Sequence, residues 1–239
     1  MKLRFFFLIT LSTLLLASCR KEESFWEASF SVLGDSYSAF AGYVDPDSND
    51  PWPNYSQIEV TKPEQMWWYQ VADQTGWTME RNNSFSGSLI CNMDVANYYG
   101  KHSFIRRMDD LGEPDVIFIF GATNDANHDA PLGDFVYADW TEEQLCMFRP
   151  ALAYLLDYLQ KKYPYAELYL MIDMNLGSGG IDDSIREAFI DSMHQIATHY
   201  QVHSIDLYDI HKQWWHPDSQ GQEGIATQVV RALRAGLNA

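Results

Sequence analysis

The sequence predicts an α/β fold: three layers, with a central parallel sheet of about five strands and helices on both faces. Three observations carry this. Short apolar runs alternate along the chain with stretches of helical length. Residues 116–120 and 168–172 are continuously apolar, as strands buried on both faces must be. The first run and the most apolar one each stop at a glycine, Gly34 and Gly121. In such sheets the reactive groups collect beyond the carboxyl ends of the strands.

The elements follow in order. Residues 30–33 form a short strand. Residues 63–76 read as a helix, with Pro63 in its first turn and Gly76 at its end. A strand leads into Asn82-Asn83-Ser84-Phe85-Ser86-Gly87-Ser88, and residues 116–120 are the next strand. Thr141-Glu142-Glu143-Gln144 is a capping box that opens a helix running towards Lys162, and Pro150 inside it predicts a kink or a broken start. After the strand at 168–172, Asp182 or Asp183 caps a helix to about Tyr200. A last strand covers 202–207 and a last helix 225–237. There is no internal repeat.

The chain has 239 residues, 46% of them apolar, which suffices for one domain with a large core. Its formal charge of −17 excludes a binder of nucleic acid by bulk electrostatics and favours neutral substrates over polyanions. Three cysteines are too few for a disulfide scaffold.

Residues 1–18 stand apart from the fold. Lys2 and Arg4 precede an uncharged, mostly apolar run at 5–17, shorter than the roughly 20 residues a bilayer span needs. Leu16-Ala17-Ser18-Cys19 resembles the lipobox of bacterial lipoproteins. The resemblance implies cleavage before Cys19 and lipid attachment to it, with an ordinary cleavable signal as the plainer alternative. Arg20-Lys21-Glu22-Glu23 resembles the short signal that sends some Gram-negative lipoproteins to the outer cell surface, and a solvated charged linker would look the same. The expected organisation is a signal at 1–18, a linker at 19–27 and one domain at 28–239, held at the outer membrane by its lipid alone. Cys91 and Cys146 are left either to pair or to stay as free thiols.

Four segments carry candidate chemistry. Gly34-Asp35-Ser36-Tyr37-Ser38 follows the first strand, where a sharp strand-to-helix turn would expose the Ser36 hydroxyl and Gly34 would permit the tight backbone. Gly87 can present its N–H to a ligand. Gly121-Ala122-Thr123-Asn124-Asp125 can aim the Asn124 amide into the same cleft, and His216-Pro217-Asp218 lies where a loop would return to the sheet edge. Each alone is an ordinary cap or turn. In this order and spacing they resemble the SGNH/GDSL hydrolase family, over about residues 28–239.

That resemblance implies a flavodoxin-like three-layer fold and a serine ester hydrolase. Ser36 would be the nucleophile. His216 would be the general base and then the acid, so activity should rise through a pKa in the histidine range. The N–H groups of Ser36 and Gly87 and the side-chain amide of Asn124 would form the oxyanion hole. No metal or organic cofactor is needed. The expected substrate is a small acyl ester, acetyl on carbohydrate foremost. The rivals are a non-catalytic surface protein that binds glycan in the same cleft, and a lipid esterase or acyltransferase. Nothing in the sequence speaks to oligomeric state.

One position departs from the family pattern. An aspartate usually stands three residues before the histidine; here it is Gln213. A neutral amide does not stabilise an imidazolium as a carboxylate does. Three alternatives follow: a backbone carbonyl near 213–214 orients His216, another carboxylate such as Asp206, Asp209 or Asp218 approaches in space, or activity is weak or lost. Aromatic rings at Trp52, Tyr55, Trp214 and Trp215 are candidates for substrate contact, although packing is the commoner role of any single ring. Asp45, Asp47 and Asn49 open like a calcium loop, but Asp50 and Ser56 stand where Gly and Glu are needed. His199 and His203 are four apart, but a helix end between them and the lack of a Glu motif argue against a zinc site.

Overall fold

The computed structural model describes residues 27–44, 59–93, 102–177 and 180–237. The signal segment, Cys19, Trp52, Tyr55 and the calcium-like stretch lie outside the described residues.

Five parallel strands form the sheet, in the order β2-β1-β3-β4-β5: β1 (Ser29–Gly34), β2 (Thr78–Ser84), β3 (Val116–Phe120), β4 (Glu167–Asp173) and β5 (His203–Leu207). The alternation of side chains splits the core in two. Val116, Phe118 and Phe120 face one layer, with Phe30, Met171 and the helices α1 (Trp67–Thr75) and α6 (Ser219–Leu237). Ile117 and Ile119 face the other, with Leu33, Leu170 and the helices α2 (Phe104–Arg107), α4 (Phe148–Lys162) and α5 (Asp183–Tyr200). All five residues of β3 are buried, which is why that run shows no polar alternation. Truncating one such side chain to alanine typically costs about 2–5 kcal/mol.

The register places the site. Gly34 pairs with both Ser84 and Phe120, so β1, β2 and β3 end level and their following turns share one edge. A one-turn helix, α3 (Thr123–Asn127), begins just beyond β3.

Three predicted helices start elsewhere than expected. Residues 63–65 form a 3₁₀ turn and the chain straightens at Met66, so α1 begins at Trp67; Gly76 closes it in the left-handed region at φ 76°. The capping box at Thr141 and Gln144 forms in both directions, with N–H donors 3.3 and 3.0 Å from their side-chain acceptors. It caps a 3₁₀ turn at residues 144–146, and α4 starts only at Phe148. Pro150 then sits in the first turn, where a missing N–H costs nothing: the start is broken, not kinked. The last helix begins at Ser219, six residues before its expected start, because Asp218 accepts the Gly221 N–H at 2.9 Å on its side chain and the Gln222 N–H at 2.8 Å on its carbonyl. Gly221 lies in its first turn, where a Cβ would lie 2.0 Å from the His211 carbonyl oxygen. Among the described residues no helix is long and apolar enough to cross a membrane.

Candidate active site

Ser36 stands in a tight turn, not at a helix start. The N–H groups of Ser38 and Ala39 both donate to the Asp35 carbonyl, at 3.2 and 3.1 Å, and the Tyr37 N–H donates to Asp35 Oδ1 at 2.9 Å. Gly34 is required by space: a Cβ would meet Ser84 Oγ at 2.7 Å and Ser38 Cβ at 2.8 Å. The turn is held from behind by indoles. Trp68 Nε1 donates to the Ser38 carbonyl at 2.9 Å, as does Asn82 Nδ2, and Trp67 Nε1 donates to Ser38 Oγ at 3.1 Å. Buried tryptophans need such partners, which explains why two open α1 side by side.

Gly87 has φ 77°, a left-handed conformation suited to glycine, in a turn closed by the Ser88 N–H on the Phe85 carbonyl at 3.1 Å. Asn124 links this turn to the serine turn, since its Nδ2 donates to the Ser88 carbonyl at 3.0 Å and to Asp35 Oδ2 at 3.3 Å. Asn124 thus bridges the turns that carry Ser36 and Gly87.

Behind them sits a buried cation that sequence reasoning missed. Arg107 donates from Nη2 to the Gly34 carbonyl (3.1 Å) and Ser88 Oγ (3.0 Å), from Nη1 to Asn83 Oδ1 (2.9 Å) and the Asn83 carbonyl, and from Nε to the His102 carbonyl (2.7 Å). It therefore joins the ends of β1 and β2 to the glycine turn. Asp125 accepts the N–H groups of Ile90 and Cys91, fixing the chain beyond that turn. Burial pushes the Asp35 carboxyl up to about 7 and that of Asp125 to about 6, and lowers Arg107 to about 9, still a cation at neutral pH. Nothing in the local sequence, His-Ser-Phe-Ile-Arg-Arg-Met-Asp-Asp at 102–110, marks Arg107 apart from its neighbour Arg106.

His216 arrives on a two-stranded antiparallel hairpin of β6 (Lys212–Gln213) and β7 (His216–Pro217), in which Gln213 pairs with His216. Its Nε2 is 3.0 Å from Ser36 Oγ. Gln213 points away, accepting the Glu59 N–H on Oε1 at 3.1 Å. Two of the alternative carboxylates are engaged elsewhere: Asp206 with His194 at 3.4 Å, and Asp218 with His211 Nδ1 and the Gly221 N–H. Asp209, at φ 52°, lies in the irregular segment between β5 and the hairpin. Burial, with a smaller contribution from the Lys212 charge, lowers the His216 pKa to about 3, below the histidine range expected from sequence. The imidazole is consequently neutral near pH 7 and able to accept a proton.

Trp214 and Trp215 form the hairpin turn and are 77% and 50% exposed, the Trp215 ring lying 6.0 Å from that of His216. Trp214 has φ 65°, a conformation usually given to glycine. The Tyr37 hydroxyl donates to the Trp215 carbonyl at 2.5 Å, and the Tyr37 ring stands edge-on to His216 at 5.6 Å. His199 and His203 are apart, stacked on Tyr137 and Tyr169 respectively. Cys91 and Cys146 are both free thiols.

The family model described as GDSL-like lipase/acylhydrolase matches residues 28–233. The chain belongs to that family. As a GDSL-like protein of this fold it is an SGNH-type ester hydrolase. It is similar to a Bacteroides ovatus ATCC 8483 protein named as a GDSL-like lipase, with 42% identity, a TM-score of 0.79, and coverage of 89% of this chain and 100% of that one. A Bacteroides uniformis ATCC 8492 protein of the same description is 40% identical over 87% of this chain and 96% of that one, also at TM-score 0.79. A carbohydrate esterase whose active site is described as having divergent catalytic and non-catalytic binding functions shares the GDSL-like fold at 19% identity and TM-score 0.59, over 86% of this chain and 68% of that one. No curated protein matches the chain.

Proposed function

We propose that the protein hydrolyses small acyl esters, acetyl above all, through an acyl-enzyme on Ser36. The observation that carries this is the 3.0 Å contact between Ser36 Oγ and His216 Nε2. In the forward step Ser36 Oγ attacks the ester carbonyl while its proton passes to His216. The tetrahedral oxyanion is met by the N–H groups of Ser36 and Gly87 and the Asn124 amide. The imidazolium then protonates the departing alcohol, and water attacks the acyl-enzyme by the same route in reverse. A base of low proton affinity suits this site only because the developing oxyanion is a negative charge that favours the imidazolium beside it.

For the alcohol side we propose a carbohydrate. Two exposed indoles flank the base, and flat apolar rings stack on sugar faces. The carbohydrate esterase of similar fold offers a parallel. The same rings also suit the rival reading, glycan binding without turnover. The lipobox-like segment ending at Cys19 supports an exported, lipid-anchored protein at the outer membrane, and the charged residues after it support surface display.

The test is hydrolysis of 4-nitrophenyl acetate and of acetylated oligosaccharides by the protein beside Ser36→Ala. Loss of the nucleophile should lower kcat by at least about 10⁴-fold. Equal rates from the two proteins would leave glycan binding as the function.

A further inference from the structure

A buried ion pair ties the hairpin that carries His216 to the end of β4. Lys212 Nζ lies 2.6 Å from Asp173 Oδ2 and donates to the Asn175 carbonyl at 2.9 Å. The Lys212 side chain is 10% exposed and that of Asp173 1%. Asp173 is the last residue of β4, and its other oxygen accepts the Asn175 N–H at 2.9 Å. Lys212 is the first residue of the hairpin that carries His216, and its ammonium lies 5.5 Å from the Tyr37 ring centroid, the ring that also packs on the imidazole. A buried pair of this kind is weak evidence for stability, because desolvation offsets much of the attraction. Its geometry, however, ties a two-residue ribbon to the rigid end of a central strand.

We infer that Lys212 and Asp173 are positioning residues for the base: together they dock the His216 hairpin on β4 and set the electrostatic surroundings of the imidazole, in place of a carboxylate on the hairpin itself. This rests on His216 being the base of the proposed reaction. Lys212 on its own hairpin and the Tyr37 ring from the serine turn face the imidazole, and Asp35 and Asp173 reach it through Tyr37 and Lys212. Asp35 and Asp173 both act on Tyr37, whose phenol is held well above its usual range by burial and by these two carboxylates. Lys212 is the charge that acts on His216 directly and disfavours its protonation. Removing Lys212 therefore leaves Asp173 unbalanced and favours the imidazolium. Removing the charge of Asp173 leaves Lys212 unbalanced and disfavours it further.

The experiment follows the His216 ring by NMR titration, alongside kcat and KM for 4-nitrophenyl acetate, in Lys212→Met, Asp173→Asn and the double variant. Lys212→Met should raise the His216 titration by about 1–3 pH units. Asp173→Asn should move it down or leave it below the accessible range, and the double variant should fall between the single ones. In the double variant, the one best placed to fold because no charge is left alone, kcat should drop on the order of 10–100-fold with little change in KM, since the docking is lost. A merely structural pair would not move the titration in opposite directions. An unmoved His216 titration in Lys212→Met, or unchanged turnover in the double variant, would overturn the inference, as would failure of all three variants to fold. The ring titration does not depend on ester turnover, so an inactive wild-type protein would count against the proposed function and not against this.

Discussion

The two halves of the site are built differently. The half with Ser36, Gly87 and Asn124 grows out of three strands that end level, and its polar groups are tied from beneath by the fully engaged Arg107. The half with His216 is a short ribbon belonging to no part of the main sheet, held by Tyr37, Gln213 and Lys212 reaching across to other elements. The first half is fixed by the register of the sheet. The second is fixed by side chains, and so has room to vary.

Three measurements would break or sharpen this contrast. The largest effect is expected for Arg107→Met, which strips donors from the Gly34 and Asn83 carbonyls and a positive neighbour from Asp35. It should cost about 3–5 kcal/mol in urea unfolding, the range for breaking a buried charged network. A smaller loss there than in Lys212→Met would erase the distinction between a rigid half and a strapped one.

Next is the pH dependence of stability. The folded pKa of His216 is lowered to about 3, against an ordinary 6.5, so between these values the unfolded chain binds more protons than the folded one. Stability should therefore fall as pH drops from 6.5 towards 3, with a slope of up to about 1.4 kcal/mol per pH unit from this one group. His216→Gln should flatten the curve in that window, as read by urea midpoints at a series of pH values. An unchanged slope would mean that the ribbon opens to water before the protein unfolds.

The smallest effect is at the turn. Trp214→Gly relieves a left-handed tryptophan and should stabilise the protein by roughly 1 kcal/mol. Turnover of 4-nitrophenyl acetate should be unchanged, while KM for an acetylated oligosaccharide should rise. A fall in both substrates' kcat would place the ring in the positioning of the base.

The same contrast explains what was legible in the sequence. Ser36 and Asn124 follow apolar strands, so the local pattern places them at the sheet edge; Gly87 follows a polar strand, and the alternation yields the number of strands but not their order. His216 was found only through its family-like spacing, since a two-residue strand leaves no periodicity to read. Gln213 looked like a lost carboxylate. The bond inferred to dock its hairpin joins Lys212 to Asp173, residues 39 apart along the chain. Arg107 was missed because its five donors serve mainly backbone carbonyls, which carry no sequence signal. The start of α6 lies six residues before its expected place because Asp218 caps it and Gly221 lets the helix pass the His211 carbonyl.

Tyr37 joins the two halves. It is the residue next to Ser36, its hydroxyl grips the turn that precedes His216, and its ring touches both the imidazole and the Lys212 ammonium. A sideways drift of the ribbon therefore pulls on the peptide that bears the nucleophile, so the reacting oxygen and nitrogen travel as a pair when an acyl group wedges between them.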